Sequence, residues 1–165
     1  MKCYTAYLSM GSNIGDRTEN CTRAIATLAA TDGITVCRQS RFFYTEPVGY
    51  VHQDWFVNVM IKVDTTLAPD ALLKTLKAIE RENGRDPVGL RFGPRVLDVD
   101  IIFYEDMVVN ETDLTIPHPR MHKRHFVLRP FCDIDPEVIH PVFKKNVRQL
   151  RDALNEENQA VLVHE

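Results

Sequence analysis

The sequence predicts an α+β fold: a ferredoxin-like α/β sandwich with a mainly antiparallel sheet and helices packed on it. Three observations predict it. Apolar and polar residues alternate over short stretches, most clearly at residues 55–65, which is the period of a strand. Two longer stretches repeat their apolar residues every three or four positions, the period of a helix. The segments also follow one another as strand, helix, two strands, helix, strand, the order of a βαββαβ sandwich.

The elements are read in order. Residues 3–10 are a strand expected to end in a turn at Gly11, Ser12 and Asn13. Asp16 followed by Glu19 marks a helix start with Asp16 as N-cap, and Cys21, Ala24, Ile25 and Leu28 form its apolar stripe. Residues 34–43 read as a second strand. Within 55–65, Trp55, Val57, Val59, Ile61 and Val63 share the expected core face, while Phe56, Asn58, Met60, Lys62 and Asp64 share a more polar one.

A second helix is expected from Pro69, a favoured first-turn residue, to Gly84 as C-cap, with Leu72, Leu73, Leu76 and Ile79 inward. Residues 84–95 hold three Gly, two Pro and three Arg, too many breakers for regular structure. The strand 96–104 then turns Leu97, Val99, Ile101 and Phe103 to one face and Asp98 and Asp100 to the other. A Pro- and His-rich stretch follows at 116–126, and a last helix is expected from Val147 to Leu154. With no repeat, linker or low-complexity run, residues 1–165 read as one domain.

Composition narrows the function classes. The chain has 165 residues, 44% of them hydrophobic and 26% charged, enough for a core without disulfides or a structural metal. A net charge of −3 offers no global attraction to nucleic acid or an anionic membrane. There is no apolar run of transmembrane length, and MKCYTAYLSMGSN lacks the apolar region of a signal peptide. The expectation is a cytoplasmic protein with neither nucleic acid nor membrane as partner, read as a monomer with a weak dimer as the alternative. Cys3, Cys21, Cys37 and Cys132 form no CxxC pair, so they are expected to be reduced and mostly buried.

The chemistry starts at Asp98 and Asp100. A strand puts both carboxylates on one face with Cα atoms about 7 Å apart. Two like charges on a mainly apolar strand are costly unless a cation or Arg neutralises them. Hard oxygen ligands with few protein contacts suit Mg²⁺ when a nucleotide supplies the rest. Arg85, Arg91 and Arg95 lie on the segment feeding this strand, with His118 and Arg124 as further phosphate donors, and Arg binds phosphate bidentately. That set matches what phosphoryl transfer needs, charge neutralisation and alignment rather than a covalent nucleophile. A solvated strand face and loop would carry the same residues without that meaning. No G-x-x-x-x-G-K-[ST] or protein-kinase signature occurs, and neither GSNIG nor GRDPVG has the spacing of a phosphate loop. His118, His122 and His125 do not read as a zinc site, because Pro117 and Pro119 keep one helix from carrying all three and HExxH is absent. In the loop and strand 42–58, Phe56 is placed to stack on a planar ring and Asn58 to hydrogen-bond its edge, although packing under a helix would explain Phe56 equally.

Taken together, YLSMGSNIGDR, YTEPVG with WFVN, RFGPRVLDVDII, IPHPRMHKRHFVLRP and FCDIDPEVIHP resemble the hydroxymethyl-dihydropterin pyrophosphokinase family over residues 4–141. The resemblance implies a Mg²⁺-dependent enzyme of folate synthesis that moves pyrophosphate from ATP to 6-hydroxymethyl-7,8-dihydropterin and releases AMP. It implies a pterin ring between Phe56 and Phe126, with Asn58 on its edge and backbone groups near Thr45 and Val48. Asp98 and Asp100 would hold two Mg²⁺ ions. Arg85, Arg91, Arg95, His118 and Arg124 would line the phosphate path, Arg85 and Arg95 serving the chemical step, and Glu80, Ile101 and Thr115 would lie near the nucleoside. Phe56 stands where some members carry Tyr, and Phe92 where some carry Trp. Pro87 and Pro119 stand where some carry Arg and Tyr, which leaves fewer nucleotide contacts. Two rivals are a non-catalytic pterin or nucleotide sensor and a metal-dependent phosphohydrolase.

Overall fold

The computed structural model describes residues 2–47, 52–83, 96–154 and 161–163. Strand β1 (Tyr4–Ser12) leads to helix α1 (Arg17–Ala29), then to strands β2 (Ile34–Gln39), β3 (Phe43–Thr45) and β4 (Phe56–Thr65). Helix α2 (Pro69–Glu82) precedes strand β5 (Asp98–Tyr104), the short hairpin β6 (Val109–Asn110) and β7 (Thr115–Ile116), and a 3₁₀ turn at Met121–Lys123. Helices α3 (His125–Ile134) and α4 (Val147–Asp152) and strand β8 (Val161–Val163) complete it. The main sheet runs β5-β1-β4-β3-β8, with β2 also on β4, and each of its strand pairs is antiparallel. The four strands of the expected repeat therefore lie in the order fourth, first, third, second, the ferredoxin-like order.

Local chemistry explains the elements. Asp16 caps α1 by accepting from the Glu19 N–H at 3.1 Å. Pro69 opens α2 in place of a side-chain cap, and Asp70 in its first turn complements the helix dipole. The helices α1 and α2 press Cys21, Ala24, Leu28, Leu72, Leu76 and Ile79 onto one sheet face, against Leu8, Val59, Ile61 and Val99.

Several boundaries differ from the sequence expectation. Gly11 and Ser12 belong to β1 rather than to a turn, because Gly11 pairs with both Asn58 and Asp98. The expected strand 34–43 is two strands. Ser40 separates them, its N–H donating to the Met60 carbonyl and its hydroxyl accepting from the Met60 N–H, both at 2.9 Å. Trp55 lies outside β4 and is exposed. The register of β1 on β5 shifts between Tyr7 and Leu8, leaving Ile102 as an extra residue. Phe103 therefore leaves the face of Val99 and Ile101 and joins the opposite core. Strand β8, which pairs Val161–Val163 with β3, has no counterpart in the sequence reading. Cys21 is buried, but Cys3 and Cys37 are exposed and Cys132 is half-buried, so the expectation of mostly buried thiols fails; all four are free.

The second face of the sheet is not simply polar. Helices α3 and α4 cover most of it, burying Tyr7, Met60, Phe103, Phe131, Val147 and Leu150. Polar contacts fasten α3 at its C-terminal end. The Tyr7 hydroxyl bonds Asp135, Arg38 donates to the Ile134 carbonyl at 2.5 Å, and Arg41 meets Asp133 through Nη2 and Oδ1 at 2.7 Å. The N-terminus of α3 is thereby held over the other end of the sheet, where Gly11, Phe56, Asn58, Asp98 and Asp100 share one face. Among the described residues no helix is long and apolar enough to cross a membrane.

Among the described residues, strand β5 is at a sheet edge, where main-chain donors lack a neighbouring strand. Glu80 of α2, 2% exposed, accepts from the Val99 N–H at 2.8 Å and so ties helix to edge. Glu80→Ala is expected to cost about 1–3 kcal/mol in urea unfolding, the scale of a buried donor left unpaired. Glu80→Gln keeps an acceptor oxygen and is expected to lose less than half as much. Equal losses in both variants would contradict the tie.

Candidate active site at one end of the sheet

Asp98 and Asp100 are the first and third residues of β5 and lie on one face, as the alternation predicts. The register sets what surrounds them. Asp98 pairs with Gly11, which pairs on its other side with Asn58; Asp100 pairs with Ser9, which pairs with Met60. One row of three strands thus runs Asn58, Gly11, Asp98. At one strand spacing per step, Asn58 and Asp98 are about 10 Å apart at their Cα atoms.

Gly11 is required by this row. A Cβ there would meet Asn58 Oδ1 at 2.5 Å and Phe56 Cδ1 at 3.6 Å. Asn58 is 5% exposed and its Nδ2 donates to the Thr45 hydroxyl at 2.5 Å. That bond fixes the amide, and Oδ1 occupies the space that a side chain on residue 11 would need. Thr45 is 1% exposed and stands opposite Phe56 in the ladder. A half-buried aromatic ring and a fixed amide oxygen thus stand together on this face, groups suited to stacking on a flat ring and to hydrogen-bonding its edge.

Arg124 is the N-cap residue of α3 and Phe126 lies in its first turn. The Arg124 guanidinium lies 5.2 Å from the centre of the Phe126 ring. An arginine at the positive end of a helix opposes the dipole. Here it is set against the two acids, and Asp100 and then Asp98 favour its charged form, although burial is the larger effect and lowers its pKa. His118 is held by its N–H on the Ile102 carbonyl at 3.0 Å, and its Nδ1 accepts from the Arg120 N–H at 3.1 Å. The neutral ring therefore carries its proton on Nε2, which lies 4.0 Å from Asp100 Oδ2. Burial, then Arg124 and Arg120, push the His118 pKa down to about 4, so this is no ion pair near neutrality. Asp100 is pushed up to about 7, first by burial and then by Asp98.

The donor set fits a hard divalent cation. Two carboxylates repel each other on one face, and a cation between them removes the repulsion. Among the described residues no group of three His, Cys, Asp or Glu side chains could hold a metal alone. Phosphate oxygens and water would have to complete the shell, the arrangement usual for Mg²⁺ at nucleotide sites.

The remaining expected residues are less concentrated. Glu80 is engaged with Val99, and the Ile101 side chain is buried in the opposite core, so any contact from Ile101 to a ligand would come from its backbone. Thr115 pairs with Asn110 in the small hairpin. Val48, Arg85, Arg91 and Arg95 lie outside the described residues, as do Pro87 and Phe92. Sequence reasoning missed Gly11, which it placed in a turn. It also did not single out Asn13 and Arg17, whose side chains reach the loop before Phe56 through bonds that no local sequence signal marks.

The model of the 7,8-dihydro-6-hydroxymethylpterin-pyrophosphokinase (HPPK) family matches residues 7–136. The chain belongs to that family. The 2-amino-4-hydroxy-6-hydroxymethyldihydropteridine pyrophosphokinase of Methylorubrum extorquens is 42% identical over 134 residues, covering 81% of this chain and 84% of that protein. The protein of the same name from Bacillus subtilis is 40% identical over 133 residues, covering 81% and 79%. The folic acid synthesis protein fol1 of Schizosaccharomyces pombe is 41% identical over 149 residues, but the chain spans only 20% of its length. An HPPK-DHPS crystal structure from Plasmodium falciparum superposes with a TM-score of 0.75 over 92% of this chain and 42% of that one; at 15% identity it shares the HPPK fold.

The acid pair yields a stability test. A carboxyl raised in the folded state above its unfolded value of about 3.9 binds its proton more tightly when folded. That contribution is full below about pH 3.9 and is lost as pH rises through about 7. Asp100→Asn is therefore expected to raise the thermal midpoint of the ligand-free protein most above pH 7. The gain should shrink as pH falls from 7 toward 4. The His118 shift runs in the opposite direction but is common to both proteins. A variant no more stable than the parent at pH 8 would contradict the raised Asp100 carboxyl.

Proposed function

We propose that this chain transfers pyrophosphate from ATP to 6-hydroxymethyl-7,8-dihydropterin, giving AMP and the pterin diphosphate in folate synthesis, and that the sheet end described above is where it does so. Family membership carries the reaction. The single observation that supports the location is the Asn58–Gly11–Asp98 row, which sets a flat-ring slot beside an acid pair.

In this reading the pterin ring stacks between Phe56 and Phe126 and presents edge donors to Asn58 Oδ1. Backbone groups at Thr45 and Val48 serve the same edge. Asp98 and Asp100 would hold Mg²⁺, two ions in the fullest form, which supplies charge neutralisation on the phosphates. Arg124 and the neutral Nε2–H of His118 donate to phosphate oxygens from the α3 side, with Arg85, Arg91 and Arg95 from the segment before β5. The pterin hydroxymethyl oxygen attacks the β-phosphorus. A new O–P bond forms, the bond from that phosphorus to the α,β-bridging oxygen breaks, AMP leaves with the bridging oxygen, and the hydroxyl proton is released. The chain's work is positioning and electrostatic stabilisation, so it needs no covalent nucleophile. Glu80, through its hold on β5, Ile101, through its backbone, and Thr115 belong to the nucleoside side.

The test is AMP release from ATP with and without hydroxymethyl-dihydropterin. AMP should appear only with the pterin and in equal amount to the pterin diphosphate. Inorganic phosphate without pterin would favour the phosphohydrolase, and binding without turnover would favour the sensor. Asp98→Ala and Asp100→Ala are expected to cut turnover roughly a hundredfold or more while leaving pterin binding largely intact. Phe56→Ala is expected to weaken pterin binding by roughly 1–3 kcal/mol, the loss of one stacking partner.

A further inference from the structure

The GSNIGDR segment, residues 11–17, is not a phosphate loop by spacing, yet it sits beside the site with its polar groups engaged. Asn13 is 3% exposed. Its Nδ2 donates to Gln53 Oε1 at 2.7 Å and to the Asp54 carbonyl at 3.0 Å. Arg17 Nη1 donates to the Trp55 carbonyl at 2.6 Å, and its guanidinium lies 5.4 Å from the centre of the Tyr44 ring. Three consecutive residues, Gln53, Asp54 and Trp55, are thus held from the other side of the sheet end. Phe56 comes next in the chain. The holding segment is itself braced, because Asn20 Nδ2 donates to the Ile14 carbonyl at 2.8 Å and to the Ser12 hydroxyl at 3.2 Å.

We infer that Asn13 and Arg17 are positioning residues for the pterin slot: they clasp residues 53–55 and so fix where the Phe56 ring stands relative to Asn58. The inference rests on the slot reading proposed above. It is carried by three facts that packing alone does not require. A buried amide spends both hydrogens on one short loop segment. Arg17 holds the carbonyl of Trp55, the residue next to the stacking ring. Gly11, in the same segment, clears the space for Asn58 and Phe56. A loop end free to shift would let the ring leave the stacking plane, and small misplacements of a binding group are costly. The clasp touches neither Asp98 nor Asp100, so nucleotide binding should not feel it.

The experiment titrates the full chain with 6-hydroxymethylpterin, followed by its fluorescence, in the presence of a non-hydrolysable ATP analogue whose own affinity is measured separately. Asn13→Asp is isosteric but has no donor hydrogens. Gln53→Ala removes the acceptor, whereas Gln53→Glu keeps one. Asn13→Asp and Gln53→Ala should each weaken pterin binding about tenfold, the scale of one lost hydrogen bond. Gln53→Glu should bind the pterin as the parent does, and the analogue should bind all three unchanged. Unchanged pterin affinity in Asn13→Asp and Gln53→Ala would overturn the clasp. So would a joint loss of pterin affinity, analogue affinity and thermal midpoint, since that marks a merely structural role. Asn58→Ala separates the two readings. If it too binds the pterin normally, the slot itself lies elsewhere; if it binds weakly while Asn13→Asp does not, only the clasp fails.

Discussion

The placing of two carboxylates, Asp98 and Asp100, on one face of β5 is the constraint that the candidate site must satisfy. Both carboxylates leave the same face of one edge strand, and burial with mutual repulsion lifts Asp100 to about 7. Neighbouring groups answer that charge. Arg124 occupies the start of α3 against the preference of the helix dipole, and His118 is kept neutral so that its Nε2–H faces the acids without adding a competing cation. In the proposed function, a cation and the phosphates it binds would offset the cost of the two carboxylates.

The fold places that charge pair at one end of a two-sided core. Both faces of the sheet are buried over most of their length, and polar anchors to Asp133, Ile134 and Asp135 fix α3 at the far end. The N-terminus of α3 then brings Arg124 near Asp100 and Asp98. Register does the rest. Because Gly11 is the shared partner of Asn58 and Asp98, those two residues cannot drift apart without breaking the ladder of β1.

Much of this was legible in the chain. The period-two pattern placed Asp98 with Asp100 and Phe56 with Asn58, and the helix signals at Asp16 and Pro69 were read from capping chemistry alone. The errors came where side chains, not propensity, set the outcome. Gly11 looks like a turn residue because the reason for it is the Asn58 amide across the strand. The bulge at Ile102 moved Phe103 to the other face, and no alternation pattern encodes an extra residue. The division of β2 from β3 depends on a single hydroxyl, that of Ser40. Asn13 and Arg17 act through long-range bonds to residues 53–55, which local periodicity cannot reveal.

The central claim is that one row of the sheet holds the pterin slot next to the acid pair. Manganese in place of magnesium tests it directly, since Mn²⁺ broadens the proton resonances of nearby ligands and its effect falls steeply with distance. In the complex of the protein with a non-hydrolysable ATP analogue and 6-hydroxymethylpterin, the hydroxymethyl protons should broaden strongly, and Asp100→Asn should remove most of the effect while the pterin stays bound. A bound pterin whose hydroxymethyl protons stay sharp with Mn²⁺ at saturation would contradict the account.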